Sequence, residues 1–141
     1  CIYGEGNQRT ELEALVNNLG ISDKVQLPGR KENLLELMND AAMFVLSSDY
    51  EGMPNVLIEA MCMGMPVIAT DCPSGGPRVL IETGLNGILI PVGGRQELVD
   101  AMEQLSDVSE AYTLGIEAAK MKEKLTDKRI FEDWKRYLFK E

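Results

Sequence analysis

Residues 43 to 72 read MFVLSSDYEGMPNVLIEAMCMGMPVIATDC, and their order decides the fold. An apolar run of strand length, Met43 to Leu46, leads into a short polar loop. Asn55 to Met63 then reads as a helix, closed by Gly64 with Pro66 soon after. Pro66 to Thr70 is apolar again and reads as a second strand. Strands this uniformly apolar, joined through a helix, predict a parallel sheet covered on both faces. In such sheets ligands collect beyond the carboxyl ends of the strands, at a topological switch point. The loop carrying Glu51 follows a strand, so it is expected on that edge.

Two carboxylates stand out in this stretch. Glu51 lies in the loop, and Glu59 is the only charged residue from Val56 to Met63. A carboxylate among Val, Leu, Ile, Ala, Met and Cys is costly to bury unless it is hydrogen-bonded. That makes Glu59 a candidate to hold a polyhydroxylated ligand. Gly52 and Pro54 predict a tight turn, and Asn55 is the expected N-cap of the helix. Free N–H groups at a helix start attract anions. A diphosphate there would have Glu51 on one side and Glu59, reaching a ribose diol, on the other. The alternative is structural: Glu51 as a solvated loop acid, Glu59 paired with a core Arg or a backbone donor.

The alternation of strand and helix continues outward. Cys1 to Tyr3 and Val25 to Leu27 read as strands, as does Gly87 to Pro91. Arg9 to Leu19 reads as a helix, with Leu12, Leu15, Val16 and Leu19 at the helical period. Further helices are expected at Leu34 to Asn39, Pro77 to Glu82, Gln96 to Leu105, Ser109 to Lys124 and Asp127 to Lys140. No internal repeat, low-complexity tract or linker interrupts them.

With 141 residues, 45% of them hydrophobic and 26% charged, the chain has the size and mix of one soluble domain. No apolar run approaches a membrane span, and no signal peptide opens the chain. A net charge of -9 argues against a nucleic-acid partner, since phosphate backbones need a basic face. It leaves room for a single nucleotide held by backbone N–H groups. There is no histidine, and the cysteines (Cys1, Cys62 and Cys72) lack metal-ligand spacing. A zinc site, a Ser-His-Asp triad and a Cys-His pair are excluded within this chain. The cysteines are expected as small core residues in a reducing cytosol. The opening Cys-Ile-Tyr-Gly-Glu-Gly, without an initiator Met, reads as a strand entered midway. The chain is accordingly expected to be a fragment of a longer polypeptide.

The segment from Ser48 to Asp71 closely resembles the Glu-x7-Glu motif of the group 1 family of retaining glycosyltransferases, which have the two-Rossmann-domain GT-B fold. Other segments agree in order and spacing. Tyr3-Gly4-Glu5-Gly6 resembles the family's glycine loop. Leu19 to Gly29 resembles the strand leading to its base pocket, and Gly84 to Pro91 its following strand. The resemblance covers residues 1 to about 105 well, and the later helices match only in kind.

This resemblance implies an α/β, Rossmann-like three-layer domain with a parallel sheet, the C-terminal half of a GT-B glycosyltransferase. Residues 1–141 would form the nucleotide-sugar-binding domain, truncated at its N-terminus, with the acceptor domain upstream. Glu51 would contact hydroxyls of the donor sugar and serve as the catalytic position, and Glu59 would bind the ribose. Backbone groups of Met53, Asn55 and Val56 would hold sugar and phosphate. Gly4 and Gly6 would let the backbone approach the ligand closely, and Arg30 and Lys31 would border the base pocket. Pro54 stands where many members have Gly, and without an N–H it removes one backbone contact. The family's diphosphate-binding Arg and Lys lie upstream of Cys1, so the fragment alone is expected to be inactive. No cofactor or metal is implied.

The implied donor is a UDP-sugar, with GDP the alternative nucleotide. The implied acceptor is a sugar or lipid-linked glycan in polysaccharide or glycoconjugate biosynthesis. The implied location is the cytoplasm, at the inner face of the membrane in the full-length protein. Competing readings are a nucleotide-sugar epimerase, which needs further acid/base residues, and a non-catalytic nucleotide-sugar-binding module.

Two features stay open. Pro73-Ser74-Gly75-Gly76-Pro77 reads either as a turn that reshapes the sugar pocket or as a plain connection. Ile130, Phe131, Trp134, Tyr137 and Leu138 form an apolar stripe on the last helix, with Lys128, Arg129, Lys135, Arg136 and Lys140 adding charge. Packing against the domain's own sheet is the favoured reading of the stripe. A peripheral membrane contact or a surface for the upstream domain is the other.

Overall fold

A fully buried strand organises the structure, a computed structural model that describes residues 1–139. The elements run α1 (Arg9–Asn18), α2 (Leu34–Met38), β1 (Phe44–Leu46), α3 (Asn55–Cys62), β2 (Val67–Thr70), α4 (Gly76–Leu80) and β3 (Ile88–Ile90). Four helices follow: α5 (Arg95–Gln104), α6 (Val108–Ala119), α7 (Met121–Lys124) and α8 (Asp127–Phe139). All four residues of β2 are buried, because β2 lies between parallel β1 and β3 and helices cover its side chains. Val45 pairs with Ile68 and Leu46 with Ala69, while Ile68 pairs with Ile88 and Thr70 with Ile90. Alternate residues of a strand share a face. On one face Ile68, Ile88 and Ile90 meet Ala101 of α5, Leu105 at its C-cap and Leu114 of α6.

The chain divides into two compact units, Cys1–Glu36 and the remainder from Leu37. In the first, the expected strands at Cys1 to Tyr3 and Val25 to Leu27 are reduced to one parallel bridge, Tyr3 with Gly29. Backbone hydrogen bonds from Ile2 to Gln26 and from Gly4 to Gly29 support it. Two paired segments without a third partner make a marginal sheet. Helix α1 buries none of its residues, and Leu12, Leu15 and Leu19 remain exposed.

In the second unit Gly64, at φ 78°, closes α3 as expected. Its carbonyl lies where a Cβ on Gly115 would stand, so α6 crosses the end of α3 at backbone contact. The single helix expected from Ser109 to Lys124 is broken at Lys120 into α6 and α7. None of the described residues of α8 is buried, and its main contact among them is with α7. The expectation that its stripe packs on the sheet is therefore overturned. Phe131, Trp134, Tyr137 and Leu138 are all more than half exposed. The expected last residue of that helix, Lys140, lies outside the described residues. Of the cysteines, Cys72 is buried, Cys62 half-buried and Cys1 exposed, so only Cys72 fits the expected core role.

Candidate functional site

The carboxyl ends of β1 and β2 carry a set of side-chain ties that converge on Glu51. Thr70, the last residue of β2, is 3% exposed, and its hydroxyl donates to the Ser48 carbonyl. The Cys72 thiol donates to the same carbonyl at 3.1 Å. A buried hydroxyl needs such a partner, and here it finds one across the sheet. Ser48 in turn donates its hydroxyl to Oε1 of Glu51 at 2.7 Å. The backbone carbonyl of Glu51 accepts from the Ser74 hydroxyl. A Cβ on Gly76 would overlap the Gly52 carbonyl, so α4 starts in direct contact with the Glu51 loop. The turn from Pro73 to Pro77 is thus more than a connection: it clamps the loop that carries the first carboxylate.

Next to this clamp Arg78 makes a two-pronged ion pair with Asp71, Nε to Oδ1 at 2.8 Å and a terminal nitrogen to Oδ2 at 2.5 Å. The hydrogen bond from Arg78, with its charge, holds the Asp71 carboxyl below the usual range.

Helix α3 begins one residue earlier than its expected cap allows. Pro54 occupies the N-cap position at φ -77°, with no side-chain cap, and Asn55 is the first helical residue. The Pro54 carbonyl accepts from Leu57 and Ile58, at 3.1 and 3.2 Å. The N–H groups of Asn55 and Val56 have no acceptor among the described residues. These are the unpaired donors that every helix start presents. Met53 and Asn55 are exposed and Val56 is half-buried.

Glu59 differs from expectation. It is exposed, and its carboxylate has neither a hydrogen bond nor an ion pair with the described residues. Leu57, Ala60 and Met61 take the buried face of α3, which leaves Asn55 and Glu59, one turn apart, on the solvent face. The pairing with a core Arg does not occur, and no buried charge has to be compensated.

The remaining predicted residues belong to the first unit. Gly4, at φ 122°, and Gly6 are exposed, as are Arg30 and Lys31. Arg9 stiffens this unit, bonding Glu5 at 2.9 Å, Glu13 at 2.8 Å and the Leu27 carbonyl at 2.7 Å. The structure therefore brings Glu51, Met53, Asn55, Val56 and Glu59 onto one loop and helix start, while Gly4, Gly6, Arg30 and Lys31 belong to the other unit.

A groove of about 630 Å³ opens elsewhere, lined by Met43, Gly64, Pro66, Leu105, Tyr112 and Ile116 among others. Met43 and Pro66 precede β1 and β2, so this groove lies at the opposite edge of the sheet from Glu51. Its apolar lining offers little to a diphosphate. Among the described residues no group of three or more His, Cys, Asp or Glu is placed to hold a metal, and no helix is long and apolar enough to cross a membrane.

The family model for glycosyl transferases group 1 matches residues 1–124. The chain belongs to that family. It is 31% identical over 138 residues to N-acetylgalactosamine-N,N'-diacetylbacillosaminyl-diphospho-undecaprenol 4-alpha-N-acetylgalactosaminyltransferase of Campylobacter jejuni, covering 97% of this chain and 38% of that one. The Anabaena protein HepE, solved with UDP, superposes with a TM-score of 0.84 at 25% identity, over 99% of this chain and 40% of that one. The pneumococcal O-GlcNAc transferase GtfA, solved with UDP and GlcNAc, gives a TM-score of 0.82 at 28% identity, over 99% and 28%. The fold of this group 1 chain is thus that of GT-B glycosyltransferases. It spans 11% to 38% of the length of the curated relatives it matches.

Ser48 and Thr70 were not singled out from the sequence; Cys72 was expected only as a core residue, and Ser74 only as part of the turn from Pro73 to Pro77. Ser48 stands three positions before Glu51, and Thr70 is the one hydroxyl ending an apolar strand run. Those are the signals that point to them.

Proposed function

We propose that this chain is the donor-binding domain of a retaining glycosyltransferase, with a UDP-sugar as donor and an acceptor hydroxyl in a polysaccharide or glycoconjugate. The supporting observation is a carboxylate, Glu51, fixed at the carboxyl edge of the sheet beside a helix whose first two N–H groups are open. The UDP complexes of the similar proteins support the choice of nucleotide. In this reading the N–H groups of Asn55 and Val56 receive a phosphate oxygen, and the α3 dipole favours its charge. Exposed Glu59 accepts from the ribose hydroxyls. Glu51 accepts from sugar hydroxyls and so sets the position of the anomeric carbon. We assign Gly4, Gly6, Arg30 and Lys31 to the nucleotide by resemblance, and Met53 to the sugar side.

During transfer the bond from the anomeric carbon to the diphosphate oxygen breaks. The acceptor oxygen bonds that carbon on the same face, and its proton leaves with the diphosphate. Stabilising the departing charge needs cations or fixed dipoles. The α3 terminus supplies part of this, and we assign the rest, with the acceptor site, to the remainder of the protein. The chain alone is then inactive in transfer.

Calorimetric titration of the chain with UDP tests the assignment of Glu59. Glu59→Ala should weaken UDP binding by about 1–3 kcal/mol, the range for losing a hydrogen bond to a charged group. Equal affinity in both proteins would refute that role.

A further inference from the structure

Beyond its contact with a ligand, a carboxylate that positions a sugar must itself be held, since small misplacements of a reacting group are expensive in rate. The side chain of Glu51 sits on a loop and has several rotors of its own. One contact restrains it: the Ser48 hydroxyl on Oε1, at 2.7 Å. That contact occupies one oxygen and leaves Oε2, which receives no hydrogen bond from the described residues. A carboxylate can accept several hydrogen bonds, so Oε2 keeps its capacity for ligand hydroxyls.

Ser48 is well placed to act as a restraint because its own backbone is held from the core. The carbonyl of Ser48 accepts from both the Thr70 hydroxyl and the Cys72 thiol. Both donors are buried, and both come from β2 or the residues just after it. The orientation of Glu51 is therefore referred, through one residue, to the most buried strand of the sheet. On the other side the Ser74 hydroxyl and Gly76 restrain the Glu51 backbone.

We propose that Ser48 is a positioning residue for the glycosyl group of the donor: it locks Oε1 of Glu51 so that Oε2 alone faces the sugar hydroxyls. This rests on the reading that Glu51 contacts the donor sugar. Ser48 itself touches no ligand. Its effect is confined to the sugar, because the nucleotide is held by Glu59 and the start of α3. A purely structural Ser48 would instead change stability, or change the affinities for nucleotide and nucleotide-sugar together.

The experiment is calorimetry on the full chain with UDP and, in parallel, with UDP-glucose, UDP-galactose and UDP-N-acetylglucosamine. The quantity read is the ratio of affinities, best sugar nucleotide over UDP. Ser48→Ala is expected to cut this ratio about tenfold, within the range for losing a hydrogen bond to a charged group, with UDP affinity unchanged. Ser48→Thr keeps the donor hydroxyl and is expected to restore the ratio. Glu51→Gln sets the size of the effect when the carboxylate charge is lost. If Glu51→Gln lowers the ratio and Ser48→Ala does not, the positioning role is refuted and the function of Glu51 stands. Equal losses for UDP and sugar nucleotide in Ser48→Ala refute it as well. If Glu51→Gln leaves the ratio unchanged, or the chain binds none of the four, the functional reading falls and the Ser48 proposal with it.

Discussion

Replacing Gly76 by alanine tests the clamp on the Glu51 loop with a single methyl group. A Cβ there overlaps the Gly52 carbonyl oxygen, stands 2.7 Å from the Gly52 carbonyl carbon and 3.2 Å from Pro54 Cδ. The Gly76 backbone has no left-handed angle, so the substitution carries no dihedral strain and its effect is steric. Overpacking costs about 1–3 kcal/mol, and rigid backbone neighbours put this case toward the upper end. Separating α4 from the loop also strains the Ser74 bond to the Glu51 carbonyl, worth about 1 kcal/mol. Against this, Gly→Ala restricts the unfolded chain and stabilises by about 0.4–1 kcal/mol. The net expectation is a loss of about 2 kcal/mol. Urea denaturation reads it as a fall in midpoint at constant slope. Gly52→Ala is the control: the same contact from the other partner, where a Cβ meets nothing within 4 Å and the effect should stay within about 0.5 kcal/mol. If Gly76→Ala unfolds within 0.5 kcal/mol of the parent, or the two variants behave alike, the loop is not held by this contact.

Leu57, fully buried on the inner face of α3, should cost about 2–5 kcal/mol when cut to alanine, read in the same denaturation assay. Thiol labelling at pH 8 should modify Cys1 first, then Cys62, whose thiol burial pushes up against the opposing pull of Lys122, and Cys72 last. Asp71 has a folded-state pKa below its usual 3.8, so the stability it contributes is present above that value and is lost as pH falls through the folded pKa. Arg78→Gln should therefore flatten the acid limb of the stability profile below pH 4, measured by thermal melts. An unchanged limb would show that the ion pair adds nothing to stability.

The sheet was legible because its strands are nearly continuous apolar runs. Val67 to Thr70 reads as a strand buried on both faces, and it is the central one. Gly64 and Pro66 marked the end of α3, and the phasing of α5 came within one residue. The first unit was harder to read. Its two strand candidates are short and, among the described residues, reduce to a single bridge between them.

Side-chain environment was less legible than element type. Glu59 sits in a helix apolar nearly all round, and the sequence does not say which of its faces meets the sheet. Lys120 breaks the helix between α6 and α7 with no Gly or Pro to announce it. The stripe on α8 has the helical period that a core face would have, so periodicity could not tell a covered face from an open one. The loop containing Glu51 was placed by pattern. The hydroxyls that orient it reach it through a strand partner 22 residues away, a separation that local spacing does not encode.

Amide-resolved NMR titration of the chain with UDP reads whether the loop after β1 and the start of α3 form a donor site. The Asn55 and Val56 amide resonances are expected to move most and to saturate together, while those lining the apolar groove, such as Tyr112 and Ile116, stay in place. Saturable binding that leaves Asn55 and Val56 unmoved would contradict it.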